Sequence, residues 1–287
     1  MQRNGLRDAI LCVKILDMGK DVKMPDRDDR IVRVKFSAEA RGAHDGLKDQ
    51  LAEAKMELAT RRGAARRKAQ ERLYAIMTRM KQVCIAPCLW AELCDDPDGP
   101  MGKLSPKVQL TAQLAQDTPG KVMVFCTFQK ALEIVEGILK ERGVSVLRYH
   151  GEQSTAERLE TLEGFKDSPT KVLLLSFKIG GTGLNLQHAP TVVMMDPCFS
   201  PAVTEQAMAR TYRPSRDQRA RRQVVIYKLY STDSYEDEDM LHMDKRKRRI
   251  MEKVCNESMR NRELFQRLQL MPQLRVDVPN RVVARLM

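Results

Sequence analysis

No run of about 18 apolar residues occurs in the chain, so no membrane-crossing helix is expected. The seven cysteines are an odd number, which suits no closed disulfide framework. Cys84 and Cys126 lie in apolar, strand-like runs, and the thiols read as reduced and the protein as intracellular. Cys84, Cys88 and Cys94 lack CxxC spacing and a nearby histidine, so no metal site is expected there. The opening MQRNGLRDAILCVKIL is too broken by charge for a secretory signal. Also absent are the HExxH helix of metalloproteases, a catalytic serine elbow and an EF-hand loop. A phosphate-binding P-loop is missing too. Gly-Lys occurs at Gly19-Lys20, Gly102-Lys103 and Gly120-Lys121, but no Ser or Thr follows any of them. None has a second glycine five residues before its own. Asp237-Glu238-Asp239 imitates a metal-holding acidic motif without an apolar strand to carry it.

What is present is a basic chain with ample core material. Hydrophobic residues make up 43% of the 287, enough for a large domain. Lys and Arg number 50 against 38 acidic residues, a net charge of +12, and the excess is partly clustered. That balance suits a polyanion partner, nucleic acid above all. Residues 1–100 read as mostly helical, with a short extended piece from Ile31 to Phe36. Ser37 opens a long helical run to about Gln82, with Leu47, Leu51, Leu58, Leu73, Met77 and Met80 on roughly one face. Its middle, TRRGAARRKAQER, reads equally as a solvated helix face or as a phosphate-facing arm. Residues 94–106 read as a Pro/Gly linker.

From there strands and helices alternate. Apolar runs 121–126, 144–149, 171–176, 191–196 and 223–230 are read as strands, separated by helices. Gly143 stops one helix, a capping box at Ser154 to Glu157 opens the next, and Pro201 begins a third. Continuous apolar strands between helices mean a buried, largely parallel sheet with ligands at its C-terminal strand ends. Residues 231–287 read as a helical tail, densest in charge at Lys245 to Arg249.

Three loops after strand ends could carry chemistry. Gly180 to Gly183 offers backbone N–H groups a close approach to phosphate, with Ser176, Lys178 and Thr182 as side-chain donors. A tight turn would explain the glycines equally well. Gln206, Arg210 and Arg213 are spaced four and three apart, so they share a helix face. Arginines there suit stabilisation of phosphoryl transfer, or merely a solvated basic face. Asp196, directly after an apolar strand, is a charge partner or an ordinary turn residue.

Order and spacing together carry a resemblance. KVMVFCTFQKALEIVEGIL resembles motif IV of superfamily-two helicases. YHGEQSTAERLETLEGFK and SFKIGGTGLNLQHAPTVVMMDPCFSPAVTEQAMARTYR resemble the segments up to motif VI of the Swi/Snf-type ATP-dependent DNA translocases, with "GG-x-GLNL", "DP-x-x-x-P" and "QA-x-x-R-x-x-R" cores intact. VVIYKLYSTDSYEDEDMLHMDKRKRRIMEKV is similar to the strand and brace helix that follow. MTRMKQVCIAPCLW and KMPDRDDRIVRVKFSAEARGAHDGL resemble segments flanking the family's helical protrusion. The likeness covers roughly residues 20–255. It implies an α/β fold: a RecA-like parallel sheet with flanking helices, preceded by a helical protrusion and followed by a brace helix. The implied division is 1–100 for the linker and protrusion, 101–235 for the C-terminal lobe and 236–287 for the brace helix and tail.

The resemblance also implies roles. Arg213 would be the arginine finger and Arg210 a second catalytic arginine. Gln206, Gly181, Thr182, Gly183 and Asn185 would serve the nucleotide, and Phe128, Gly151, Ser176 and Lys178 the DNA. ATP with Mg2+ would be held mainly by a first lobe not found in this sequence. Duplex DNA and that N-terminal lobe are the implied partners, with action in the nucleus or at a viral replication site. Departures are Tyr212 for His or Phe, Pro214-Ser215 for Gly-Gln, Cys198-Phe199 for an aromatic pair, and Ala86 for His. The competing readings are a binding module without turnover and the lobe of an RNA helicase.

Overall fold

The computed structural model describes residues 26–90, 105–177, 186, 189–211 and 223–250, without the side chains of Glu39 and Arg210. The sequence expectations for the 94–104 part of the linker, for residues 178–185 and for Tyr212 to Ser215 lie outside these residues, as does the tail beyond Ile250. Residues 26–245 belong to one compact unit; residues 246–250 are helical and belong to a separate one.

Six strands form one sheet: β1 (Arg27–Val34), β2 (Val122–Cys126), β3 (Val146–Tyr149), β4 (Val172–Ser176), β5 (Thr191–Met194) and β6 (Val224–Ser231). Their spatial order is β1-β6-β5-β2-β4-β3, and every neighbouring pair is parallel. VMVFC and VLLLS, at β2 and β4, are buried at every position, as expected for strands covered on both faces. Alternate residues serve opposite faces. Val122, Val124, Cys126, Val172 and Leu174 join one core cluster; Met123, Phe125, Leu173 and Leu175 join the other. Helices α3 (Pro106–Asp117) and α4 (Gln129–Glu141) fill the first, while α5 (Thr155–Asp167) and α6 (Pro201–Thr211) fill the second. The result is three layers, helix on sheet on helix. Among the described residues no helix is long and apolar enough to cross a membrane.

Local signals read from the sequence hold. Gly143 takes φ +69 just after α4, the left-handed conformation a glycine adopts most readily. Ser154 and Glu157 form a reciprocal capping box at α5. Pro201 opens α6. Two readings are corrected. The extended piece near Ile31 is a full strand, β1, pairing with β6 from Arg27 opposite Val224 to Val34 opposite Ser231. The long helical run from Ser37 is broken at Arg61 and Arg62, both extended, with Gly63 at φ +57. It is a hairpin of α1 (Ala38–Thr60) and α2 (Gly63–Ile85) with its own core of Leu47, Leu51, Ala54, Ile76, Met80 and Val83. Cys84 accordingly sits in α2 rather than in a strand. Cys84, Cys88, Cys126 and Cys198 are free thiols.

The hairpin base is tied to the end of β6. His44, fully buried, accepts the Tyr235 backbone N–H at its Nε2. Burial holds the His44 pKa down, which keeps the ring neutral for that role. Lys107 on α3 donates to buried Glu236, whose carboxylate also takes the Ser231 N–H at 3.0 Å. Burial pushes Glu236 above the usual carboxylate range even with Lys107 pulling it back.

Replacing Glu236 with Ala strands the Lys107 ammonium, 1% exposed, without its carboxylate. A loss of about 3–5 kcal/mol in unfolding free energy is expected. Glu236→Gln, which keeps an acceptor, should lose clearly less in the same urea titration.

Candidate nucleotide and nucleic-acid site

The sheet order reverses between β2 and β5. After β2 the chain travels toward β4 and β3; after β5 it travels toward β6. Loops leaving such a point diverge and open a crevice at the C-terminal strand ends. Here the crevice is bridged. Thr127, just past β2, donates its backbone N–H to Asp196 Oδ1 at 2.8 Å and its hydroxyl to Asp196 Oδ2. Lys81, near the end of α2, donates to Asp196 Oδ2 at 2.7 Å and to Thr127 Oγ1 at 3.1 Å. Lys81 is 1% exposed and Asp196 fully buried. The ammonium also lies 4.7 Å from the Phe199 ring centre and 5.6 Å from that of Phe128.

Every polar partner in this cage is satisfied, which is what allows two charges to be taken out of water. Burial alone would push Asp196 up, but the Lys81 charge and the Thr127 donors hold it below the usual carboxylate range. Burial would likewise lower Lys81, and Asp196 overcomes this and raises it. The Cys126 thiol beside them is pushed far up by burial and by the Asp196 charge, so it is no nucleophile.

Of the residues read as a site from the sequence, Phe128 touches this cage. Phe128 is half-buried with its ring near Lys81. Ser176 ends β4 and is 5% exposed. Gly151 is exposed after β3, its carbonyl accepting from Arg158 at 2.5 Å. Gln206 is exposed on α6, next to Glu205, whose carboxylate pairs with Arg27 at 2.9 Å. The backbone of Arg210 lies on the same helix, but its side chain is outside the described set. Lys178, Gly181, Thr182, Gly183, Asn185 and Arg213 lie outside the described residues. Among the described residues no group of His, Cys, Asp or Glu is placed to hold a metal ion, so Mg2+ ligation is assigned to none of them.

Sequence reading missed Lys81 altogether. The available signal was a single lysine between Met80 and the apolar run Val83, Cys84 and Ile85. The acidic run at 237–239 also has a structural use: Asp237 pairs with Arg33, Glu238 with Lys48 and Asp239 with Lys55.

The helicase conserved C-terminal domain family matches residues 106–215, a span containing Gln206, Arg210 and Arg213. The chain is 33% identical over 169 residues to the DNA repair protein RAD5 of Candida albicans, covering 56% of this chain and 15% of the relative. It is 29% identical over 204 residues to the DNA repair and recombination protein RAD54-like of Danio rerio, covering 63% and 27%. It is 32% identical over 164 residues to the probable global transactivator of Orgyia pseudotsugata multicapsid polyhedrosis virus, covering 54% and 32%. The chain thus spans a third or less of these relatives. Its fold is similar to the C-terminal domain of the Sulfolobus solfataricus SWI2/SNF2 ATPase, with TM-score 0.57 and 22% identity over 76% of this chain and 85% of that one. The C-terminal part of the Fun30 ATPase domain aligns with TM-score 0.59 and 18% identity over 75% and 88%.

Lys81→Met leaves the Asp196 carboxylate buried and uncompensated, and a loss of about 3–5 kcal/mol is expected. Lys81→Met with Asp196→Asn removes both charges and should recover part of it. The pH dependence follows from the two shifts. Asp196 is depressed, so its contribution is present above the usual carboxylate range and lost as pH falls through its lower folded value. Lys81 is raised, so its contribution is full below the usual ammonium range and lost as pH climbs through its higher folded value. The double variant should show neither flank in urea midpoints measured against pH. With the matched span, the relatives and the shared fold in view, this chain carries, over residues 106–215, a helicase conserved C-terminal domain.

Proposed function

We propose that the chain works as the second lobe of an ATP-dependent DNA translocase, supplying arginines and DNA contacts to a nucleotide held mainly by a first lobe. The observation that supports this best is the position of α6. It follows β5 at the C-terminal side of the switch point, presents Gln206 to solvent, and places Arg210 four residues further along the same helix. Phosphoryl transfer spreads negative charge over the transferred oxygens, and a positioned arginine neutralises it. In this reading Arg213 is the finger, Arg210 assists it, and Gln206 orients the nucleotide. Gly181, Thr182, Gly183 and Asn185 link the nucleotide to DNA. Phe128, Gly151, Ser176 and Lys178 follow the duplex backbone; Ser176, being buried, would act by setting the loop after β4. ATP and Mg2+ would supply the energy and the charge neutralisation once the first lobe holds them. DNA-repair relatives and a viral transactivator support action in the nucleus or at a viral replication site.

The test is ATP hydrolysis with and without duplex DNA, by this chain alone and with the first lobe of a RAD5 or RAD54 relative added. Silence alone, turnover on complementation, and a fall of ~10³-fold or more with Arg213→Ala are expected. Equilibrium binding to duplex should weaken with salt, with a log–log slope of about −0.9 per phosphate neutralised. A slope near zero removes DNA from the assignment. Binding without turnover in any combination makes the chain a regulatory module.

A further inference from the structure

The turn of the α1–α2 hairpin concentrates positive charge that ion pairs leave largely unmatched. Residues 58–70 contain Arg61, Arg62, Arg66, Arg67 and Lys68 and no carboxylate. All five cations are exposed. Elsewhere on the hairpin, exposed cations are paired: Lys48 with Glu238, Lys55 with Asp239, and Arg72 with Glu53 and Glu57. At the turn only Arg61 has such a partner, Glu57 at 3.9 Å. Among the described residues Arg62, Arg66, Arg67 and Lys68 form no ion pair. Three of these four also crowd the start of α2, which has no acidic residue in its first turn. Like charges there repel one another and the positive end of the helix, an arrangement a bound polyanion would relieve.

The fold holds this cluster away from the sheet. Lys81, at the cage, lies 18 residues along α2 from Gly63, which is about 27 Å of helix. The solvent side of α2 between them carries Arg67, Gln70, Tyr74 and Thr78, all exposed and within one sector of the helix. Gln70 Nε2 donates to the Tyr74 hydroxyl at 3.1 Å. Arginine, glutamine, tyrosine and threonine are the side chains that contact phosphate oxygens. Between Arg61 and Lys68 the only apolar side chains are Ala64 and Ala65, with the larger exposed groups Met56 and Tyr74 outside that stretch. Small side chains between cations let a phosphate backbone approach closely.

We propose that the hairpin turn, residues 61–68, is a second contact for the phosphate backbone of duplex DNA, separate from the strand-end contacts and connected to them along α2. It rests on the reading of the chain as a DNA-binding lobe. The contact reads no sequence; it adds length to the footprint and fixes the direction in which duplex leaves the sheet edge.

The experiment is fluorescence anisotropy of a labelled 30-base-pair duplex titrated with the full chain at several salt concentrations. The variant R66A/R67A/K68A, all alanine on an exposed helix, should keep its circular dichroism and lower the slope by about 2–3 phosphates' worth, at ~0.9 each. R66K/R67K keeps the charges and should keep the slope. K140A/R142A/K166A removes as many exposed cations from the ends of α4 and α5, remote in sequence from the hairpin, and should change the slope little. An alanine variant matching wild type, or matching that control, overturns the inference while leaving the lobe's DNA binding intact. Loss of poly-glutamate binding with duplex binding unchanged overturns it in favour of an acidic protein surface. Failure of the wild-type chain to bind duplex at all overturns both this inference and the function on which it rests.

Discussion

The ion pair between Lys81 and Asp196 organises this molecule. Parallel α/β sheets leave a crevice where strand order reverses, and that crevice is ordinarily where ligands enter. Here Thr127 and Asp196 span it, and a lysine from the helical hairpin completes the bridge. Desolvating two ions is unfavourable by several kcal/mol each, so the contact persists because every donor and acceptor in it is matched. Its consequence is positional. The hairpin, the loop after β2 and the loop after β5 share one buried contact.

A second buried pair, Lys107 with Glu236, secures the segment after β6 to α3. Around it, three consecutive acidic residues reach Arg33, Lys48 and Lys55. Exposed pairs of this kind contribute little stability singly. As a row they set the register between the helical segment after β6 and both β1 and α1. The hairpin is therefore held by charge and hydrogen bonds at its base and by apolar packing along its length, and its turn is left exposed.

Much of the fold was legible in the sequence because the central strands are apolar on both faces and bounded by strong punctuation. Gly143, Ser154 and Pro201 act locally, and local signals survive translation into structure. Strand β1 was only partly legible. RDDRIVRV alternates poorly and carries five charges, since an edge strand needs an apolar residue only where it meets the core. The break at Arg61 and Arg62 was hidden because arginines are good helix formers and a single glycine in a helical run is tolerated. The site divides similarly. Gln206, Arg210 and Arg213 were proposed from helical spacing, a short-range property, and α6 carries Gln206 and the backbone of Arg210. Lys81 and Asp196, 115 positions apart, could be paired only by the fold, and a lone lysine near a helix end ordinarily reads as solvated.

The parallel pairing of β1 with β6 has a bearing on how the chain is made. Arg30 and Tyr227, hydrogen-bonded neighbours on these strands, are 197 positions apart. Contacts of such separation form late, because the intervening chain must be ordered first. At roughly 5–20 residues per second of synthesis, β1 emerges about 10–40 s before β6, its neighbour in the sheet, exists. During that interval its charged faces, Arg27, Asp28, Asp29 and Arg30 among them, discourage pairing with strands of other nascent chains. The polar makeup that obscured the strand in the sequence is what a strand that waits requires.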